Sequence, residues 1–429
     1  MNAKEPTTVH DLEEIRCPNP HCSHHGKAEA EGGRFWLNQR TGKENIIIYK
    51  CAHCRKCFSE RRGTVLFESR LPSEEVEAII HHLREGCGLR RTARLTGHSR
   101  NTVARYAHLA GLHAKAVHEQ TVEGLECKER RSTRSGRSWE KKEGNCSQAD
   151  KEAGRGDCWD VDVMDVESRA VIVRRHGDRS SETSNAAFCE LKERLAPGHV
   201  PVLVTTDEFG AYPEAVLVTF GKERAVKRKP GPGRPPLPVI EPALVYAQVD
   251  KKRSSTGRLE KVDWRVVFGT PQALAQRLET SESSRSVNTA FLERFNGVDR
   301  HFNSRKARKT CEFSKAVSEH RATSWLVLGL GIFCWAPRRV KGNGPENSGN
   351  RSERTPAMVL GRAKGVLSVG EFIRLRPIAL TLPTLQDIRL KRTEFHKPEK
   401  RPTSLDLWPK KKTVQKSLKQ LGISARGIG

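Results

Sequence analysis

The sequence predicts an α/β domain preceded by two small modules, a cysteine-built ribbon and an all-α helical unit. Three observations carry that reading. From Gly156 onward, short alternating or all-apolar runs interleave with segments at helical spacing, the pattern of strands and helices packed in layers. Near the start lie two close cysteine pairs, in CPNPHC and CAHC, the arrangement of a zinc ribbon. Between ribbon and α/β region, three short apolar-periodic segments are punctuated by glycine, as in a helix-turn-helix.

Length and charge bound the function. A chain of 429 residues has room for two or three domains. Its 77 Lys and Arg against 51 Asp and Glu give a net charge of +26. A chain this basic works on a polyanion, with nucleic acid the first candidate. An anionic membrane is the second, but no apolar run reaches the roughly 18 residues of a spanning helix; the longest is Trp325–Ala336. The opening MNAKEPTTVHDLEE lacks the layout of a secretory signal. The 12 cysteines cluster early and then scatter, which suits reduced thiols and a metal site. The expectation is a cytoplasmic protein.

The ribbon is expected over residues 12–62, with Cys17, Cys22, Cys51 and Cys54 as zinc ligands. Because the first pair is spaced C-x4-C, Cys57, His21, His24 and His25 stay open as substitutes. The helix-turn-helix is expected over 70–118. Ser73 can cap a helix carrying Val76, Ile79, Ile80 and Leu83, which ends at Gly86 and Gly88. Leu89–Thr96 is a short second helix, Gly97 and His98 make the turn, and Ser99 caps a third helix reaching about Ala110. With Val103, Ala107 and Ala110 turned inward, Arg100, Asn101, Arg105 and His108 would face a DNA groove.

Residues 127–153 are rich in Arg, Ser, Lys and Gly and read by composition as a disordered linker. CWDVDVMD and AVIVRR then predict a hairpin, GDRSSETSNAAFCELKERLAPG a helix, and PVLVTT a buried strand ending at Asp207. An acid at the carboxyl end of a central strand is well placed for a site. After the KPGPGRPPLP loop (229–238), LVYAQVDKK and WRVVFGT predict two more strands, and a helix follows around Thr270–Glu279. In Val287–Asn303, Phe291, Phe295, Val298 and Phe302 form one apolar stripe, while Glu293, Asn296 and Arg300 share another face. SRKARKTCEFSK is a basic turn suited to phosphate, SWLVLGLGIFCW a buried helix, and residues 376–429 a basic tail.

The stretches YKCAHCRKCF, GLRRTARLTGHSRNTVARY, HGDRSSET, TTDEFGAY, NTAFLERFN, RKTCEFSK and RTPAM follow one another over roughly residues 15–375. In that order they resemble bacterial insertion-sequence transposases of the InsAB type, which join a zinc finger, a helix-turn-helix and a DDE nuclease. His176 stands where the family usually has an apolar residue. The resemblance implies an RNase H-like mixed sheet flanked by helices over 156–375, with a strand and Pro/Gly-loop insertion at 222–285. It places the second and third catalytic carboxylates at Asp207 and Glu293, holding Mg²⁺ or Mn²⁺. Implied partners are double-stranded DNA, as terminal inverted repeats and target, and further copies of the chain. Arg294, Asn296, Arg300, Arg308 and Lys309 would contact that DNA. Three acids are needed because a pair of divalent ions activates the attacking oxygen and stabilises the leaving one during phosphodiester cleavage and strand transfer.

The resemblance makes 119–155 the first catalytic strand region plus a linker, and the first of those acids is missing from it. The family carries it in a motif like QVDEIWSFV, whereas this chain has RRSTRSGRSW over Arg130–Trp139, with no acid. RRSTRSGRSW can be encoded so that the same bases, read from the third base of the first codon, spell QVDEIWSFV. We therefore expect a local shift of reading frame, closed near Lys141 and Lys142, with the lost Asp near Thr133. Asp160, Asp162 and Asp165 are the alternative donors. The sequence thus leads to a transposase, active or silenced, and to a catalytically dead DNA-binding remnant or repressor as its rival.

Overall fold

The computed structural model describes residues 7–126, 128–139, 146–149, 156–222, 239–256, 258–281, 284–306, 317–337 and 354–377. These fall into two compact units. One holds the described residues up to Glu123 and from Gly297 onward; the other holds Gly124 to Asn296. The second is therefore inserted in the chain of the first.

The first unit begins with a short helix, α1 (Val9–Glu13), and a three-stranded antiparallel meander of β1 (Phe35–Thr41), β2 (Ile46–Cys51) and β3 (Cys57–Ser59). About 40 residues cannot bury a core of their own, and this module packs Cys17, Cys22 and Cys51 against Phe35, Cys54 and Phe58 instead. Helices α2 (Ser73–Arg84), α3 (Leu89–Thr96) and α4 (Arg100–Thr121) follow. Val76, Ile79, Ile80 and Leu83 are buried on α2, as their spacing predicts. Its N-cap is Pro72, not Ser73, whose backbone N–H donates to Glu44 Oε1 at 2.9 Å. Ser99 does cap α4, accepting from the Thr102 N–H.

Helix α4 runs eleven residues beyond the Ala110 end expected from sequence. Its second half is held by partners far along the chain. At Gly111 an added Cβ would lie 2.2 Å from the Ala322 carbonyl oxygen, so two helix backbones touch there and only hydrogen fits. The Arg362 guanidinium donates to the carbonyls of Thr121 (2.8 Å) and Glu123 (2.7 Å), satisfying acceptors that a helix end leaves open.

The second unit is built on a six-stranded mixed sheet of β4 (Glu129–Trp139), β5 (Gly156–Asp165), β6 (Val171–Gly177), β7 (Leu203–Asp207), β10 (Val245–Arg253) and β11 (Leu259–Phe268); β8 (Gly221–Lys222) and β9 (Val239–Ile240) pair separately. The spatial order is β11-β10-β7-β4-β5-β6. β4, β7 and β10 run parallel; β5, β6 and β11 run against their neighbours. Helices α5 (Ser181–Arg194) and α6 (Tyr212–Phe220) meet through Phe188 and Tyr212, and the Ser132 hydroxyl reaches Tyr212 from that face of the sheet. On the opposite face, α7 (Pro271–Glu279) buries Leu274 against Leu203, Val245, Ala247 and Val249. The start of α8 (Ala290–Phe302) covers the same side.

Composition misjudged one strand. Glu129–Trp139, a linker by composition but a strand by the resemblance, is β4, with a strand on each side. A ladder is made by backbone groups, so a polar sequence can occupy it once its neighbours are apolar. Strands β10 and β11, from the 222–285 segment, lie in this main sheet. The loop 229–238 and the tail from 378 fall outside the described residues. The first unit closes with α9 (Val317–Phe333), the buried helix expected from SWLVLGLGIFCW, then α10 (Pro356–Val359) and α11 (Val369–Arg374).

Candidate active site and cysteine centre

The two cysteine pairs converge. Cys17, Cys22, Cys51 and Cys54 each offer a sulfur within 4.8 Å of the others. Cys17 and Cys54 lie 3.7 Å apart, Cys22 and Cys51 3.9 Å. Tight turns present them: the Gly26 N–H returns to the Cys17 carbonyl, and Arg55, at φ 59°, closes the turn behind Cys51. Burial raises the Cys17 thiol. Burial also opposes ionisation of Cys54, but the Lys56 backbone N–H, Asn19 and the facing thiols bring it down to about 6. Four convergent sulfurs with one thiolate already favoured are the donor set of a closed zinc site. Of the substitutes, Cys57 is exposed, and His21, His24 and His25 are not in the group; His24 stacks on His53 instead, ring centroids 3.4 Å apart.

The two expected acids lie on one face of the sheet. Asp207 ends β7 opposite Val249 of β10. On its other side Ser132 of β4 pairs with Thr206, so the next residue, Thr133, stands at the register of Asp207. Side chains alternate along a strand, which puts Asp207 on the α8 side with Leu203 and Val249, away from Ser132. The start of α8 is held there by arginines: Arg131 and Arg169 lie over the Phe291 ring at 4.7 and 3.0 Å, Arg174 over Phe295 at 5.4 Å. Arg131 also donates to Asn288 Oδ1 at 2.6 Å. Burial lowers both Arg131 and Arg169 to about 10, so both stay cationic at neutral pH.

Glu293 projects from α8 over this face. Its carboxylate accepts from Thr289 Oγ1 at 2.7 Å and forms an ion pair with Lys251 of β10, two residues past the ladder partner of Asp207. Asp207 and Glu293 thus share one face and one end of the sheet. These two carboxylates are oxygen donors of the kind a divalent cation takes, and the ladder position beside Asp207 is Thr133, which carries no carboxylate. Among the alternatives, Asp162 lies directly across the ladder from Thr133, but Arg174 binds both its oxygens at 2.8 and 2.9 Å with the pair fully buried. Asp160 is 2.5 Å from His176, and Asp165 is held by Arg130 at 2.7 Å.

Several expected contacts are corrected. The most buried line on α8 is Leu292, Asn296 and Asp299, with Phe291, Phe295, Val298 and Phe302 half-buried beside it. Asn296 is therefore an interior residue and does not face DNA, whereas Arg294 is exposed and Arg300 half-exposed. On α4, Arg100 and Asn101 are exposed and Arg105 partly so. His108 is buried 3.4 Å from Glu319, because α4 continues along α9 and turns that position inward. Arg308 and Lys309 lie outside the described residues. Sequence reading missed Lys251, although its parity with Val245, Ala247 and Val249 marks it as a lysine on a core-facing row.

No protein-family model matches this chain, and no curated protein matches it. Among the described residues, no helix is long and apolar enough to cross a membrane.

Proposed function

We propose that this chain is an insertion-sequence transposase whose DNA-reading modules are whole and whose nuclease site lacks its first acid. The observation that carries this reading is the strand order β6-β5-β4-β7-β10, with Asp207 at the end of β7 and Glu293 above the same face. In an RNase H-like sheet that order sets the first acid on β4 beside the second, and here the place belongs to Thr133. The net charge of +26 suits a DNA substrate. Exposed Arg100 and Asn101 at the start of α4 would read the element's ends, and Cys17, Cys22, Cys51 and Cys54 would hold zinc as thiolates. Arg294 and Arg300 would offset phosphate charge. When bound, divalent ions supply the activation of the attacking oxygen and the stabilisation of the leaving one. With two of three acids, the chain as it stands binds DNA ends without cutting them.

The polar strand itself favours a shifted reading frame over gradual decay. Arg130, Arg131 and Ser132 are buried in the middle of the sheet, and Arg130 Nε and Nη2 have no partner among the described residues. Replacing residues 131–139 by QVDEIWSFV restores apolar residues to the strand and sets its Asp at the register of Asp207. The test is nicking of DNA carrying the element's ends, with Mn²⁺. The unaltered chain should retain the DNA and leave it whole, the repaired chain should nick it, and the repaired chain with Asp207→Ala should not. Nicking that survives Asp207→Ala, or retention that ignores the end sequence, overturns the proposal.

A further inference from the structure

The two adjacent lysines of β10 are used differently. Lys252 turns to the Asp263 carboxylate at 3.4 Å, an exposed pair. Lys251 is only 22% exposed at its side chain and reaches Glu293. Across the ladder it faces Val262, so β11 offers it no acid there. At about 3.3 Å of rise per residue, Lys251 stands roughly 7 Å along the strand from the residue beside Asp207. The Thr289 hydroxyl fixes the same Glu293 oxygen from below. One Glu293 oxygen is thereby held by a hydroxyl and by the Lys251 ammonium group together.

We propose that Lys251 is a positioning residue, the resident counter-cation of the acid site: it holds Glu293 until a divalent ion displaces it, and so sets how tightly that ion binds. This rests on the reading of Asp207 and Glu293 as metal ligands. A carboxylate between two cations divides its attraction, and the ammonium also repels an incoming dication across the same few ångströms. Removing the ammonium frees the ligand and removes the repulsion together. Arginine in its place keeps both.

The measurement is Mn²⁺ affinity by loss of the free-ion electron paramagnetic resonance signal, on the full zinc-loaded chain. Lys251→Met should bind Mn²⁺ about three- to tenfold more tightly, the range expected for a partly exposed ion pair and a nearby like charge. Lys251→Arg should match the parent. Lys251→Gln, with a polar tip, should tighten binding as Met does, which separates the charge from any packing change. Asp207→Asn and Glu293→Gln should each weaken binding. If those two weaken it while Lys251→Met and Lys251→Gln leave it unchanged or weaker, the role of Lys251 falls and the metal reading stands. If neither acid variant changes the affinity, the metal reading falls and takes Lys251 with it.

Discussion

The four cysteines and the two acids Asp207 and Glu293 are all gathered from distant parts of the chain, but the two sets are delivered differently. The four sulfurs come from two turns, each carrying its pair within a few residues. The acids come one each from a strand end and a helix, and the proposed function needs a third from another strand. A donor set delivered in pairs tolerates changes elsewhere in the fold. A set delivered singly loses its chemistry when one strand carries the wrong residue, even though the backbone still pairs.

The largest expected effect tests the first half of that contrast. Stripping zinc with a chelator, or Cys51→Ser, should unfold the meander, since structural zinc in small modules contributes on the order of 10 kcal/mol. Amide signals of β1–β3 should collapse, while those of the six-stranded sheet persist. Loss of signal in the sheet as well would show that the two regions are not independent. Next is the sheet's own polar interior. Arg174→Met leaves Asp162 buried without its bidentate partner and should cost about 3–5 kcal/mol, read from denaturant unfolding. Adding Asp162→Leu should recover most of it; no recovery would mean that the pair holds more than itself in place.

The smallest effect concerns a polar group buried in the helical part. His113 Nε2 lies 2.8 Å from the Leu375 carbonyl, and burial lowers the ring to about 4 from an ordinary 6.5. The unfolded chain therefore takes up the proton first. The ring's neutral state costs nothing above about pH 6.5, and stability falls as pH drops from there toward 4 by up to about 3 kcal/mol. His113→Gln should flatten that slope, measured as melting temperature between pH 7 and 4.5. A slope unchanged in the variant would assign it to other groups.

Much of this was legible beforehand. Both cysteine pairs, the buried rows of α2, the β5–β6 hairpin, the strand ending at Asp207 and the helix around Thr270–Glu279 follow from short-range pattern and turn chemistry. What escaped depended on partners remote in sequence. The second half of α4 reads GLHAKAVHEQT, weakly apolar, and is helical because Ala322 and Arg362 lie against it. His108 and Asn296 looked like surface residues because their spacing cannot show which side a neighbouring element will cover. β4 defeated composition because its apolar surroundings belong to β5 and β7. Lys251 was hidden in a pair of like residues whose opposite orientations only a strand assigns.

The Arg362 contact with the last carbonyls of α4 has a consequence for how the protein is made. On the ribosome, the amino-terminal helices emerge first but wait for residues more than two hundred positions later before α4 can be finished, and the whole six-stranded sheet is synthesised in the interval. A product terminated early, at about Glu123, would carry helices α2 to α4 with the longest of them frayed and its apolar flank bare, a substrate for proteases and chaperones rather than a working fragment.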